Sequence, residues 1–366
     1  MIPLFDYRPE HRRLAAEIDA AVRRVLDSGR LILGPEVQAF ESEFAAWLGS
    51  AHAVGVGSGT DALLLALRAL GVGAGHEVVT VSNAGVPPVA AVRAAGARPC
   101  LVDVDEATLQ LDPAGLARAV TPRTRAVIAV HLYGQAAPLD PIREALEALG
   151  RTDVALVEDC AQAVGTRYRG RAVGTHGRIG CFSFYPTKNL GAYGDGGLCV
   201  TDDPELDRRL RLQRAYGWPP GSRSSAVEGL NSRLDELQAA LLRVKLAHLE
   251  DALAERRRLA ALYDERLAAS DFRLPVRTGP DEHTYHLYVV RTEQRAAAIR
   301  RLRSADVGYG IHYPQPVHAM DAYRGMGLAV DALPVTDVAC ASVLSLPLYV
   351  GLGESEVGRV VEALIG

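Results

Sequence analysis

From about residue 50 to residue 215, short apolar runs alternate with stretches of helical period, and this alternation limits the possible folds of the 366-residue chain more than any other feature. The runs are His52–Val56, Glu77–Val81, Pro99–Asp103, Ala126–His131, Val154–Asp159, Ile179–Phe184 and Gly197–Thr201. Helical patterns lie between most of them, at Asp61–Leu70, Pro87–Ala95, Pro113–Val120 and Asp140–Leu149. Several runs are apolar throughout instead of at every second position, as in strands covered on both faces. The expectation is an α/β fold on a mostly parallel seven-stranded sheet. Ligands of such sheets sit beyond the carboxyl ends of the strands, so polar residues at those ends carry most weight.

A Gly/Ser/Pro-rich stretch from Tyr216 to Gly229 reads as a long loop. It is followed by a helical pattern from Ser232 to about Ala268, with Leu242, Leu246, Leu249 and Leu253 on one stripe. Lys245 falls roughly 70° from the centre of that stripe at about 100° per residue, which predicts a solvated or snorkelling side chain. From about residue 272 the pattern becomes a smaller α+β unit, with a strand at Tyr285–Arg291, a helix near Gln294–Ser304 and the Val307–His312 run. The expected domains are 1–247, a large ligand-binding unit, and 248–366, a small C-terminal one.

Hydrophobic residues make up 48% of the chain and charged residues 23%, enough to bury a substantial core, and the net charge of -4 gives no basic excess for a nucleic-acid partner. The opening residues Met1–Arg8 lack a signal-peptide layout, and the most apolar stretch, Leu63–Ala74, is interrupted by Arg68. With five cysteines and no C-x-x-C pair, reduced thiols are expected, so the protein reads as cytoplasmic, off the membrane and without a metal site.

Arginine supplies nearly all the basic residues; the only lysines are Lys188 and Lys245, which leaves two candidates for an amine nucleophile. Lys188 lies in Ser183-Phe184-Tyr185-Pro186-Thr187-Lys188-Asn189-Leu190-Gly191, where a strand ends at Ser183 and a glycine-rich loop follows. A Schiff-base lysine must be neutral when it attacks, and a desolvated strand-end pocket would lower its pKa from about 10.4. Upstream, Gly57-Ser58-Gly59-Thr60-Asp61 turns from a strand into a helix. Amides at such a start can bind a phosphate, although Ser58 or Thr60 could equally serve as a helix cap. A third strand runs into Glu158-Asp159-Cys160-Ala161-Gln162. Asp159 there could pair with a protonated pyridine nitrogen, bind a metal or cap the next helix. With Lys188, the first alternative points to pyridoxal 5′-phosphate (PLP).

At these segments, and at Asn231-Ser232-Arg233-Leu234-Asp235-Glu236-Leu237-Gln238-Ala239-Ala240, the chain resembles the DegT/DnrJ/EryC1/StrS family of nucleotide-sugar aminotransferases over essentially its whole length. The resemblance implies the aspartate-aminotransferase-like PLP fold (fold type I), with Lys188 as the cofactor lysine and proton shuttle. It implies that Asp159 pairs with the ring nitrogen, that Gln162 lies beside the phenolic oxygen, and that Gly59, Thr60 and Ser183 bind the phosphate. Asn231 would reach the phosphate of a neighbouring subunit, making a homodimer with shared active sites. Relatives that dehydrate sugars carry histidine at the lysine position, so Lys188 disfavours that reaction. Many relatives also carry an aromatic residue on the cofactor ring after the second strand; the aligned residue here is Gly85, and the sequence names no replacement.

The implied reaction is ping-pong transamination with L-glutamate as donor and a nucleotide-linked keto-sugar as acceptor. The segments Val307–Pro314 and Tyr185–Asp195 look most like those of members acting on dTDP-3-keto-6-deoxyhexoses, with His312, Tyr313 and Tyr185 on the substrate side. Alternatively, His312 and Tyr313 end a strand and pack at the domain interface. A 4-keto acceptor is the rival within the family, and a non-catalytic PLP-binding regulator is the rival outside it.

Overall fold

In a computed structural model, which describes residues 1–279 and 281–366, all seven apolar runs become strands. They are β1 (His52–Val56), β2 (Glu77–Val81), β3 (Arg98–Val102), β4 (Thr124–Val130), β5 (Ala155–Asp159), β8 (Ile179–Ser183) and β9 (Gly197–Thr201), with a small hairpin of β6 (Arg167–Tyr168) and β7 (Arg171–Ala172) between the fifth and sixth. The sheet order is β1-β9-β8-β5-β4-β2-β3. β9 runs antiparallel to both its neighbours, and the remaining pairings are parallel. The ends of β1, β5 and β8 therefore open on the same edge of the sheet, which places Gly57–Asp61, Asp159–Gln162 and Ser183–Lys188 side by side.

Helices α1 (Arg8–Ser28) and α2 (Pro35–Leu48) precede the sheet, α3 (Gly59–Ala69), α4 (Pro87–Ala94), α5 (Leu116–Ala119) and α6 (Leu139–Ala148) connect its strands, and α7 (Pro204–Gln213) follows the last of them. In α1, Leu14, Ile18, Ala21 and Val25 are the buried residues, one per turn, and Gly29 ends the helix at φ 66°, a left-handed geometry suited to glycine. Proline in the first turn starts α2, α4 and α7, where its missing N–H costs no hydrogen bond. Against the sheet, Phe44 meets Phe182 and Phe184 edge-on at centroid distances of 5.1 and 5.8 Å. Each fully buried ring contributes roughly 1.5–3 kcal/mol of apolar burial.

The long helical pattern is two helices, α8 (Glu236–Ala247) and α9 (Leu249–Leu267), broken at His248 (φ -108°, ψ 7°). The leucine stripe continues in phase across the break, so the periodicity does not reveal it. Beyond lie β10 (Tyr288–Arg291), α10 (Arg295–Ser304), α11 (Pro334–Ser342), β11 (Val343–Leu346) and α12 (Glu354–Ile365). β10 starts three residues later than the sequence suggests because Tyr285 adopts φ 48°, which interrupts an extended path. The Val307–His312 run forms no strand; it makes isolated bridges, Val307 to Ile2 and Gly310 to Ser345. A second apolar cluster gathers here around Tyr263 and Tyr288, stacked at 4.7 Å, and includes Ile2 from the opposite end of the chain. Among the described residues no helix is long and apolar enough to cross a membrane, and all five cysteines are buried and unpaired.

Candidate active site

At the end of β1 the extended residue Ser58 caps α3, its Oγ accepting the N–H of Asp61 at 3.1 Å. The capping alternative therefore holds for Ser58, while the first-turn amides of Gly59 and Thr60 have no acceptor within the helix. The helix dipole adds positive potential at the same point. A Cβ on residue 59 would lie 2.6 Å from the Ser183 Cβ and 3.2 Å from its Oγ. Glycine is what lets the Ser183 hydroxyl and the start of α3 meet, an arrangement with the donors an anion cradle needs. Ser232 supports it: the Gly57 N–H donates to Ser232 Oγ, and that hydroxyl donates to Asp61 Oδ2, each at 2.9 Å. Sequence reasoning missed Ser232; its place beside Asn231 is the only hint. Asn231 itself is exposed, bridged through its backbone to Ala215, and not hydrogen-bonded to the cradle.

Asp159 ends β5 at 5% exposure, its Oδ1 accepting the Ala161 N–H at 3.0 Å. Burial pushes its carboxyl above the usual range, opposed by that hydrogen bond and by the nearby Lys188 charge. Its neighbour Glu158 is fully buried and faces the other way, accepting the N–H groups of Gly174 at 2.7 Å and Gly177 at 2.6 Å. His131 Nδ1 accepts the Ala137 N–H, so its Nε2 carries the proton and donates to Glu158 at 3.1 Å. This internally satisfied group fixes the end of β5; the sequence showed two adjacent carboxylates and not their division of labour.

Lys188 is half-buried, on a turn closed by its own N–H to the Tyr185 carbonyl at 2.8 Å. Dense surroundings desolvate the amine and pull it down to about 8, against an upward pull from Asp159. At pH 7 that leaves roughly one lysine in ten neutral, compared with about one in 2,500 for an ordinary lysine. Tyr185 is exposed, away from this packed region.

The second lysine departs from expectation. Lys245 is 5% exposed, donates to the Gly191 carbonyl at 2.8 Å and pairs with Glu10 at 2.7 Å. Its helix flank faces α1 and the loop after Lys188, and those long-range neighbours replace solvent. It fastens the Lys188 loop, as does Gln238, whose Oε1 accepts the Tyr193 N–H at 2.9 Å.

Gln162 Oε1 accepts the N–H of Tyr133 at 2.7 Å, while its Nε2 donates to the Tyr313 hydroxyl at 3.3 Å. Tyr133, at φ 62°, donates its own hydroxyl to the His312 carbonyl. His312 Nδ1 meets Ser345 Oγ at 2.8 Å. His312 and Tyr313 thus reach the Asp159–Lys188 edge from the C-terminal part of the chain, and they do so from a loop, not from the end of a strand. Tyr133 gave no sequence signal, because its role depends on a left-handed backbone that its residue type does not favour.

PLP suits this edge: its phosphate, ring nitrogen and aldehyde require an anion cradle, a carboxylate and a poised amine, and residues of each kind converge here. Fold and site together define a PLP-dependent enzyme of the aminotransferase class. A profile of the DegT/DnrJ/EryC1/StrS aminotransferase family matches residues 12–365, and the chain belongs to that family. It is 47% identical over 365 residues to the dTDP-3-amino-3,4,6-trideoxy-alpha-D-glucose transaminase of Streptomyces venezuelae, covering 99% of this chain and 95% of that one. The crystal structure of S. venezuelae DesV in complex with a ketimine intermediate superposes with a TM-score of 0.94 at 47% identity, over 99% of this chain and 97% of that one. NtdA from Bacillus subtilis, with bound cofactor PMP, superposes at 0.87 and 29% identity, over 96% and 81%.

Proposed function

We propose that this enzyme transfers an amino group from L-glutamate to the C-3 keto group of a dTDP-linked 6-deoxyhexose. The carrying observation is the convergence of Lys188, with its amine near 8, and the buried Asp159 on the edge that also holds the Gly59–Ser183 cradle. The 47% full-length identity to a dTDP-sugar 3-transaminase supports the choice of acceptor.

Bound PLP supplies the electron sink that lets a proton leave the carbon bearing the amine. Lys188 would hold the cofactor through its amine and, as the free neutral amine, would accept the proton and return it as an ammonium. Asp159 would pair with the ring nitrogen of bound PLP and keep it protonated. Gly59, Thr60 and Ser183 would hold the phosphate, and Gln162, fixed by the Tyr133 N–H, would border the ring. His312, Tyr313 and Tyr185 are assigned to the sugar side.

The active form is proposed to be a homodimer, in which Asn231 reaches the neighbouring subunit's phosphate. Its exposure, and the exposed apolar Leu26 in the last turn of α1 with Leu31 and Ile32 just after it, support a covering partner. The domains are taken as 1–247 and 248–366, in keeping with two apolar clusters, although Leu249 and Leu253 pack with the first.

The test supplies dTDP-3-keto and dTDP-4-keto sugars side by side with L-glutamate, with regiochemistry read by NMR. A 3-amino product with stoichiometric 2-oxoglutarate is expected. Amination at C-4 alone replaces the acceptor, and no turnover with either sugar favours the regulator.

A further inference from the structure

The family's ring-covering aromatic is absent at residue 85, yet the space it would fill is occupied. A Cβ on Gly85 would lie 2.9 Å from Tyr313 Cζ and 3.1 Å from both Cε1 and Cε2. Three atoms of one phenol ring therefore stand where the side chain of residue 85 would begin. Gly85 has φ 76°, so its backbone also disfavours an L side chain there.

Tyr313 is held at that spot from several sides. Its hydroxyl accepts from Gln162 Nε2 at 3.3 Å, and Gln162 is itself fixed by the Tyr133 N–H. The preceding His312 is tied to the sheet-bearing part of the chain through Tyr133 and to β11 through Ser345. The ring is thus clamped between the turn after β2 and the turn after β5, beside the carboxylate of Asp159. Nothing in this clamp requires a sugar.

We propose that Tyr313 supplies the aromatic wall of the cofactor pocket in place of the residue missing at position 85, so that Gly85 and Tyr313 form a matched pair. Glycine at 85 makes the room, and the C-terminal part of the chain provides the ring. Tyr313 would then bind cofactor as well as substrate, and the cofactor would help hold the loop at 312–313 against the sheet. The inference rests on the PLP dependence and not on which sugar is the acceptor, so its test omits the sugar.

Apoprotein is titrated with PLP, and the dissociation constant and visible circular dichroism of the bound cofactor are recorded for wild type, Tyr313→Phe, Tyr313→Leu and Gly85→Ala. Tyr313→Phe keeps the ring and loses only the contact to Gln162; its affinity should stay within about twofold of wild type. Tyr313→Leu should weaken PLP binding by roughly three- to tenfold, the range of an aromatic contact beyond its area, and should reduce the dichroic band. Gly85→Ala, whose new methyl displaces the ring, should behave like Tyr313→Leu. Melting of each apoprotein shows whether the variant is folded, and the Phe/Leu pair decides the matter if Gly85→Ala is not. A Tyr313→Leu variant with wild-type PLP affinity and an unaltered dichroic band overturns the proposal, as does a Phe variant as impaired as Leu.

Discussion

Gly59→Ala tests the phosphate cradle with a single methyl group. Its Cβ would stand 2.6 Å from the Ser183 Cβ, whereas carbon atoms pack at roughly 3.5–4.0 Å, so something must move by about 1 Å. Ser183 lies in β8, laddered to both β5 and β9, which leaves the first turn of α3 to give way. The amides of residues 59 and 60 then leave the phosphate by a similar distance. Overpacking costs about 1–3 kcal/mol, and one lost charge-assisted hydrogen bond costs about 1.5–3 kcal/mol. The bond alone corresponds to roughly ten- to a hundredfold in PLP affinity. Titration of apoprotein followed by visible absorbance measures it, and pyridoxal, which has no phosphate, is the control. PLP should lose its advantage over pyridoxal in the variant. Equal losses for both, or none for PLP, would refute the assignment of the phosphate to this turn.

Asp159→Asn removes the anion that pulls the Lys188 amine upward; the pH profile for covalent capture of PLP by apoprotein, rising near pH 8 in the wild type, should shift to lower pH. Lys245→Met strands the Glu10 carboxylate and the Gly191 carbonyl, and should lower stability by about 2–4 kcal/mol in denaturant titrations; an unchanged midpoint would show that the pair is dispensable. Glu158 is held below the usual carboxylate range by His131 and the amides of Gly174 and Gly177, against the opposing effect of burial. A depressed folded pKa gives stability that is present above the ordinary glutamate value and lost as pH falls through the lower one. Glu158→Gln should therefore be less stable at pH 7 and show an acid-unfolding slope shallower by about one proton.

The sheet was legible because its determinants are local: a parallel strand buried on both faces must be apolar over its own length, and β1, β2 and β9 occupy the residues read for them. One helix start was legible for a similar reason, through proline: the pattern read from Pro87 opens where α4 does. Lys188, Asp159 and Gly59 each stand at the end or start of such an element. What stayed hidden depends on neighbours far along the chain. The environment of Lys245 is made by Glu10 and Gly191, and that of Gly85 by Tyr313, 228 positions later. No helical wheel contains those contacts. The break at His248 escaped because the leucine stripe stays in phase, and the Val307–His312 run failed as a strand because it finds only single bridges.

Borohydride reduction of the purified protein, followed by peptide mass mapping, tests the central claim most directly. The chain contains two lysines, and the account predicts a phosphopyridoxyl adduct on the peptide carrying Lys188, absent from Lys188→Ala. An adduct on Lys245, or a yellow protein whose colour survives both borohydride and Lys188→Ala, would contradict it.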